Sequence, residues 1–139
     1  MDGEQLHSTA RRRAEALPGS SFDFRFGPDY EVASVRNRVF MLMTRVPEAS
    51  TGFGVTASSR GQPVLVLKTP PEDAEALRAS HPGISHGYHM NKRHWITVAP
   101  GDSTERQLVE ELVTDSYCLV VAGLPTAERP VNPETFGAE

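Results

Sequence analysis

The chain has 139 residues, of which 38% are hydrophobic and 23% charged, so we expect one globular domain and exclude a wholly disordered chain. No apolar run approaches the roughly 20 residues of a membrane helix, and the acidic start Met1–Glu4 predicts no secretory signal, so we expect no membrane contact. The net charge is −4, with +2 on residues 1–95 and −6 on residues 96–139, so any nucleic-acid-binding surface must lie on the first two thirds of the chain, away from the acidic residues.

The first half of the chain predicts one helix and three strands. Apolar residues at helical spacing predict a helix over about 4–17, and Pro18-Gly19 ends it. Strands are predicted over 30–35 and 39–45, because Asn37 between them tolerates the positive φ of a tight hairpin turn. A long surface loop over 47–62 and a short buried strand over 64–67 follow.

The second half predicts two helices and a second hairpin. Thr69 suits a helix N-cap with Pro70 at the first helical position and Glu72 completing a capping box. The hairpin is predicted from strands 84–89 and 94–98. The last helix is expected to start at Asp102 or Ser103 and to end at Gly123.

The element order α-β-β-β-α-β-β-α repeats no strand–helix–strand unit. It therefore favours an α+β fold in which a mostly antiparallel five-stranded sheet carries the helices, the first and third among them, on one face. We expect a single domain over residues 1–125 and an acidic, proline-containing tail over 126–139. Phe136 is the residue of the tail that is suited to packing against the domain.

Metal and catalytic chemistry find little support in the sequence. Four histidines, His81, His86, His89 and His94, invite a metal interpretation. Alternate residues of a hairpin face opposite sides, and no cysteine lies near, so neither a metal nor a cofactor is predicted. The single cysteine, Cys118, is expected to be buried and unreactive in the last helix, and it suits a cytoplasmic protein. No nucleophile motif or phosphate-binding glycine loop is present, so we expect no catalytic residues and no enzyme.

The two predicted hairpin turns are basic. Arg36, Asn37 and Arg38 form the first, and Asn91, Lys92 and Arg93 form the second, flanked by His89 and His94. Cationic side chains at turn tips reach phosphates easily, although turns are exposed and often charged in any protein. Next to the second turn lies Trp95, which could stack a base or anchor a partner, but core packing is the stronger interpretation for a lone Trp in an alternating strand.

The stretch Gly87–Val98 (Gly-Tyr-His-Met-Asn-Lys-Arg-His-Trp-Ile-Thr-Val) is similar to the signature of the MmcQ/YjbR family, and Asp115–Val120 on the last helix is a second match. Weaker matches at Val35–Phe40 and Val66–Lys68 extend the resemblance to about residues 4–124. Asn37 stands where family members often have Gly, and the 47–62 loop is longer than usual.

The resemblance implies a CyaY-like fold and DNA binding through a double-wing arrangement. The residues that it points to here are Arg36, Arg38, Asn91, Lys92 and Arg93. The frataxin relatives of this fold bind iron through an acidic first helix, but that helix carries Arg11-Arg12-Arg13 here, so iron binding is not expected. Two hypotheses stay open: a non-enzymatic protein that contacts DNA phosphates weakly through its basic hairpins, and a protein-interaction module that docks through the sheet face and Trp95 without nucleic acid.

Overall fold

The computed structural model describes residues 1–46, 61–87 and 94–136, and in them it places three α-helices and six strands. The helices are α1 (Gly3–Glu15), α2 (Pro71–Ser80) and α3 (Arg106–Ala122). The strands are β1 (Ser20–Asp23), β2 (Glu31–Val35), β3 (Arg38–Arg45), β4 (Pro63–Lys68), β5 (Ile84–His86) and β6 (Trp95–Val98).

All six strands form one sheet in the order β1-β2-β3-β4-β6-β5, and every neighbouring pair is antiparallel. The predicted antiparallel α+β architecture is therefore confirmed. The predicted count of five strands is wrong, because β1 adds a sixth at the edge. Its four residues, Ser-Ser-Phe-Asp, are too few and too polar to show the alternation that marks a strand.

The helices pack on one face of the sheet. Leu6 and Ala10 of α1, Val113 and Tyr117 of α3, and Ala74 of α2 share one core with the inward side chains of the strands. The strands contribute every second residue to this core, such as Met41, Met43, Leu65 and Leu67. The prediction that the first and third helices cover a single face is confirmed.

The opposite face of the sheet carries a second, smaller apolar cluster. It consists of the alternate strand residues Val32, Leu42, Val64, Val66 and Trp95, together with Val46 and Ala99. All of these side chains are buried. Both faces of the sheet are therefore apolar, which explains the nearly continuous hydrophobic runs in β3 and β4.

The helix boundaries differ from the predicted ones where capping decides them. Pro70, and not Thr69, is the N-cap of α2, and no side chain caps this helix, so the predicted capping box is wrong. Thr69 is buried instead, and its N–H donates to the carbonyl of His94 at 2.8 Å. The third helix begins at Arg106 rather than at Asp102 or Ser103, and Gly123 is its C-cap as predicted.

Residues 126–136, expected as part of a tail, lie against the helix side of the molecule. Thr126–Glu128 forms a short 3₁₀ turn. Beyond it, the Phe136 ring packs on Tyr117 with ring centroids 5.7 Å apart, and Val131 joins the edge of the main core. No helix in the described part of the chain is both long enough and apolar enough to cross a membrane.

Candidate nucleic-acid interface

The β2–β3 connection is a two-residue turn, as predicted. Val35 pairs with Arg38 across it, and the two residues between them, Arg36 and Asn37, have φ values of +50° and +67°. Positive φ at both central positions is the geometry of a type I′ turn, which follows the right-handed twist of the strands. Asn adopts it readily and Arg does not, so the turn needs support from the surrounding structure.

Arg25 supplies part of that support from the β1–β2 connection. Its guanidinium forms a 2.8 Å ion pair with Asp23 and also donates to the Asn37 carbonyl at 3.2 Å. A further hydrogen bond reaches the Ser34 hydroxyl. Sequence reasoning missed this residue, because nothing local links Arg25 to a turn twelve residues away.

The C-terminal segment contacts the same turn. Nε of Arg36 donates to the backbone carbonyl of Glu128 at 2.9 Å. The guanidinium of Arg36 is thus partly engaged, although the residue is exposed. Arg38 is also exposed, and within the described residues no hydrogen bond or ion pair holds its side chain.

The strand register brings the second predicted turn to the same end of the sheet. Trp95 pairs with Lys68, the last residue of β4, and His86 at the end of β5 pairs with Ile96. Since β3 and β4 are antiparallel, the end of β4 lies beside the start of β3 at Arg38. We call this edge of the sheet, marked by Arg36–Arg38, Lys68, Gly87 and His94, the basic end.

The two described residues that flank the second turn, Gly87 and His94, differ in burial. A Cβ at Gly87 would lie 2.6 Å from the Trp95 Cβ, so no other residue fits there without displacement. His94 is exposed. The predicted site residues His89, Asn91, Lys92 and Arg93 lie outside the described residues.

Lys68 belongs to the basic end but appeared in the sequence only within a family match. It is half-buried, and its N–H donates to the Ser116 hydroxyl at 2.8 Å. The same hydroxyl donates to the Phe40 carbonyl at 2.5 Å. Phe40 and Lys68 lie one step beyond Met41 and Leu67, the last pair of the β3–β4 ladder, so the Ser116 hydroxyl bridges two backbone groups at the point where this ladder ends.

The acidic third of the chain is not kept apart from the basic end, contrary to the expectation. The backbone carbonyl of Glu128 contacts Arg36, and a groove of about 420 Å³ that begins at Thr69, next to Lys68, is lined by Asp115 and Glu134 of the acidic third and by Asp73. Burial and the neighbouring carboxylates of Glu111 and Asp73 raise the pKa of Asp115. These acids weaken the attraction of the basic end for anions, more so at low salt.

Trp95 packs in an apolar cluster, as the core-packing interpretation predicted. This cluster is the second one, on the face of the sheet away from the helices. Its exposure is 9%, and its neighbours are the apolar residues of the second cluster. The indole thus lies on that face of the sheet, next to the basic end, because Trp95 pairs with Lys68.

Cys118 lines the groove next to Lys68 and is half-buried, so the prediction that it is buried is wrong. Burial, with a smaller effect from Asp115, raises the pKa of its thiol. A raised pKa reduces the fraction of reactive thiolate at neutral pH.

The three described histidines of the predicted set, His81, His86 and His94, do not share one site. His81 caps the far end of α2, before the start of β5, whereas His86 and His94 lie at the basic end. Within residues 1–46, 61–87 and 94–136, no three His, Cys, Asp or Glu side chains come together to hold a metal ion.

The sequence and the fold have counterparts in known proteins. The family model described as YjbR matches residues 15–119. The chain belongs to the YjbR family. The Escherichia coli O157:H7 protein YbdF is 37% identical over 129 residues, which cover 93% of this chain and 95% of YbdF. YjbR of E. coli K12 is 34% identical over 86 residues, 62% of this chain and 73% of YjbR.

Two solved structures share the fold of this YjbR-family chain. The Deinococcus radiodurans protein DR2400, a DUF419 domain, superimposes with a TM-score of 0.70 at 33% identity, over 86% of this chain and 81% of DR2400. A Pseudomonas syringae protein gives a TM-score of 0.65 at 28% identity, over 86% of this chain and 98% of its own. The family resemblance predicted from Gly87–Val98 is confirmed.

Proposed function

We propose that this YjbR-family protein binds duplex DNA weakly, with little sequence preference, through the basic end of its sheet. The observation that carries the proposal is the register: both basic turns connect strands at the same end. Cations on neighbouring turns can then contact phosphates of one duplex together. The double-wing arrangement that the family resemblance implies agrees with this placement.

Arg38 is the best-placed described residue for a phosphate contact. It is exposed at the start of β3, and no partner among the described residues competes for its charge. Arg36 is a weaker candidate, because its Nε already donates to the Glu128 carbonyl. Lys92 and Arg93 complete the proposed set, and Asn91 is the residue suited to reading an adenine edge.

Weak binding follows from the charges. The net charge of −4 and the carboxylates near the basic end oppose the approach of DNA. Four phosphate contacts predict a log–log salt slope of about −3.6, which is a loss of about two decades in affinity between 50 and 200 mM salt. We therefore expect detectable binding to duplex DNA only at low salt.

We also propose that the protein acts without catalysis, in the cytoplasm. Two features support this: the raised thiol pKa of Cys118, and the placement of His81 before the start of β5 while His86 lies at its end. The single cysteine suits a reducing compartment.

The alternative is a protein-interaction module that docks through the sheet face and Trp95. At 9% exposure the indole offers a partner little surface, and hot-spot residues must be accessible before they are buried by a partner. The basic end therefore supports the nucleic-acid proposal better.

The test is a fluorescence-anisotropy titration of a labelled duplex at several salt concentrations between 20 and 200 mM. We expect binding with a slope of about −3.6, and a slope flatter by about two units when Lys92 and Arg93 are both changed to Ala. If the wild-type protein leaves the duplex unbound even at 20 mM salt, the DNA proposal fails and the interaction module replaces it.

A further inference from the structure

The C-terminal segment, residues 126–136, is attached to the domain at two points along α3. Near its start, Nη2 of Arg129 donates to the Ala122 carbonyl at 2.8 Å, so the guanidinium caps the end of α3. At its end, the Phe136 ring packs on the Tyr117 ring with centroids 5.7 Å apart. The segment therefore lies along the domain instead of extending into solvent.

These attachments bury little of the segment. No residue between 126 and 136 is buried: five of them are half-buried, and the others are exposed. Segments that have few buried apolar contacts open with a small free energy, and chain termini are the commonest examples. We therefore expect the C-terminal segment to detach from the domain more readily than any helix or strand does.

While it is attached, the segment holds a residue of the basic end. The Glu128 carbonyl accepts a 2.9 Å hydrogen bond from Nε of Arg36. Arginine binds phosphate most strongly when two parallel N–H groups of the guanidinium donate together. Because Nε is already engaged, one of the edges that could donate in this way is occupied, and a phosphate that approaches it competes with the carbonyl.

The segment also forms part of the groove that contains Cys118. Pro133 and Glu134 line this groove together with the half-buried thiol. Detachment of the segment removes these two residues from the groove and leaves the thiol more accessible. Cys118 is the only cysteine of the chain, so its rate of alkylation reports on the position of the segment without any need for DNA.

We propose that the C-terminal segment is an autoinhibitory contact, which must release Arg36 before this residue can contact a DNA phosphate. The inference rests on the proposed function and adds the regulation of that site. The apparent affinity for DNA is then the intrinsic affinity multiplied by the fraction of molecules whose segment is detached. Linkage requires that bound DNA favours detachment to the same degree. The number of phosphate contacts is unchanged, so detachment raises the affinity without altering the salt slope of about −3.6.

The first experiment detaches the segment without changing any charge. Val131 and Phe136 are partly buried against the main core, and the double variant Val131→Ser/Phe136→Ser removes both contacts. Leu108→Ser is the matched control, because Leu108 packs against the same core from the first turn of α3. With both folds checked by circular dichroism, iodoacetamide should alkylate Cys118 severalfold faster in the double variant and at the wild-type rate in the control. An unchanged rate in the double variant overturns the proposal.

The second experiment measures duplex binding by the same three proteins. We expect the double variant to bind about fivefold more tightly at each salt concentration, the factor that one net hydrogen bond contributes to an equilibrium constant. Faster alkylation with unchanged or weaker binding overturns the autoinhibitory contact and leaves the DNA proposal standing. If neither the wild type nor the double variant binds at about 20 mM salt, it is the proposed function that fails.

Arg36→Ala tests whether the gain passes through Arg36. In that background Val131→Ser/Phe136→Ser should lose most of the fivefold gain, because no guanidinium is left to release. Saturating duplex should accelerate the alkylation of Cys118 in the wild type and not in Arg36→Ala. A gain of the same size in the Arg36→Ala background would trace it to removal of the Glu128 and Glu134 carboxylates and would overturn the competition for Arg36.

Discussion

The two ends of the sheet differ in what they expose and in how their connections are held. At the basic end, Arg36 and Asn37 are cationic or polar, and hydrogen bonds from Arg25 and Glu128 hold the turn. At the opposite end, residues 24–30 expose Phe24 and Phe26 beside an edge strand. The difference shows that the strained, charged turn at Arg36 and Asn37 is held by hydrogen bonds from other segments, whereas the rings of Phe24 and Phe26 are left exposed to solvent. Arg25 links the two ends, because it lies in the β1–β2 connection and donates to the Asn37 carbonyl of the basic end.

Ser116 provides the largest expected effect at the basic end. It is fully buried, and its hydroxyl joins the Phe40 carbonyl to the Lys68 N–H. Ser116→Ala leaves both backbone groups without this partner, so we expect the free energy of unfolding to fall by about 2–4 kcal/mol. Urea denaturation measures the change. Ser103 is exposed, so Ser103→Ala is the control and should change the free energy of unfolding by no more than about 0.5 kcal/mol. An equally small change for Ser116→Ala would contradict the role of Ser116 in joining α3 to the basic end.

The turn itself should show a smaller effect. Asn37 has a φ of +67°, a conformation that a β-branched residue resists. Asn37→Val should therefore lower the free energy of unfolding by about 1–2 kcal/mol, whereas Asn37→Gly should leave it close to the wild-type value. Equal losses for Val and Gly would mean that the Asn37 side chain, and not the turn geometry, matters.

At the opposite end, His7 should make stability depend on pH. Burial lowers its pKa from the usual 6.5, and its Nε2 lies 2.9 Å from the Val64 carbonyl. The folded state thus disfavours protonation, so the unfolded chain binds more protons as the pH falls below about 6.5. The contribution of His7 is fully present above that pH and is lost on acidification. Thermal unfolding from pH 7.5 to 5 should show a steeper fall for the wild type than for His7→Gln, and parallel curves would refute the prediction.

The exposed rings should have the smallest effect on the stability of the monomer. Phe24 and Phe26 lie outside both apolar clusters. Changing either to Ala should shift the free energy of unfolding by no more than about 0.5 kcal/mol in dilute solution. A loss of several kcal/mol in urea denaturation would show that these rings stabilise the monomer, contrary to this prediction.

The fold was largely predictable because its long elements carry strong apolar patterns. The helical stripe through Leu112 and Val113 and the β-branched runs around the Arg36–Arg38 turn follow local rules that one sequence displays. β1 was missed because four residues show too little alternation. The capping box at Thr69 was wrong because burial and a hydrogen bond to the His94 carbonyl decide that position.

The candidate site was predictable only in part. The basic turns are visible in the sequence, and the strand register that brings them to one end follows from the antiparallel order. The supporting contacts are not visible, because Arg36 meets Glu128 across 92 residues and Ser116 meets Phe40 across 76. Such contacts depend on packing between distant segments, which composition and periodicity do not encode.

The central claim is that the basic end, and not the protein's charge in general, contacts DNA. The most direct test compares the salt dependence of duplex binding for Arg38→Ala with that for Arg12→Ala. Both variants remove one exposed arginine, but Arg12 lies on α1 and lines a groove with Met1 and Arg106, none of which belongs to the basic end. We predict that Arg38→Ala flattens the log–log slope by about 0.9 while Arg12→Ala leaves it unchanged. Equal slopes for the two variants would contradict the claim.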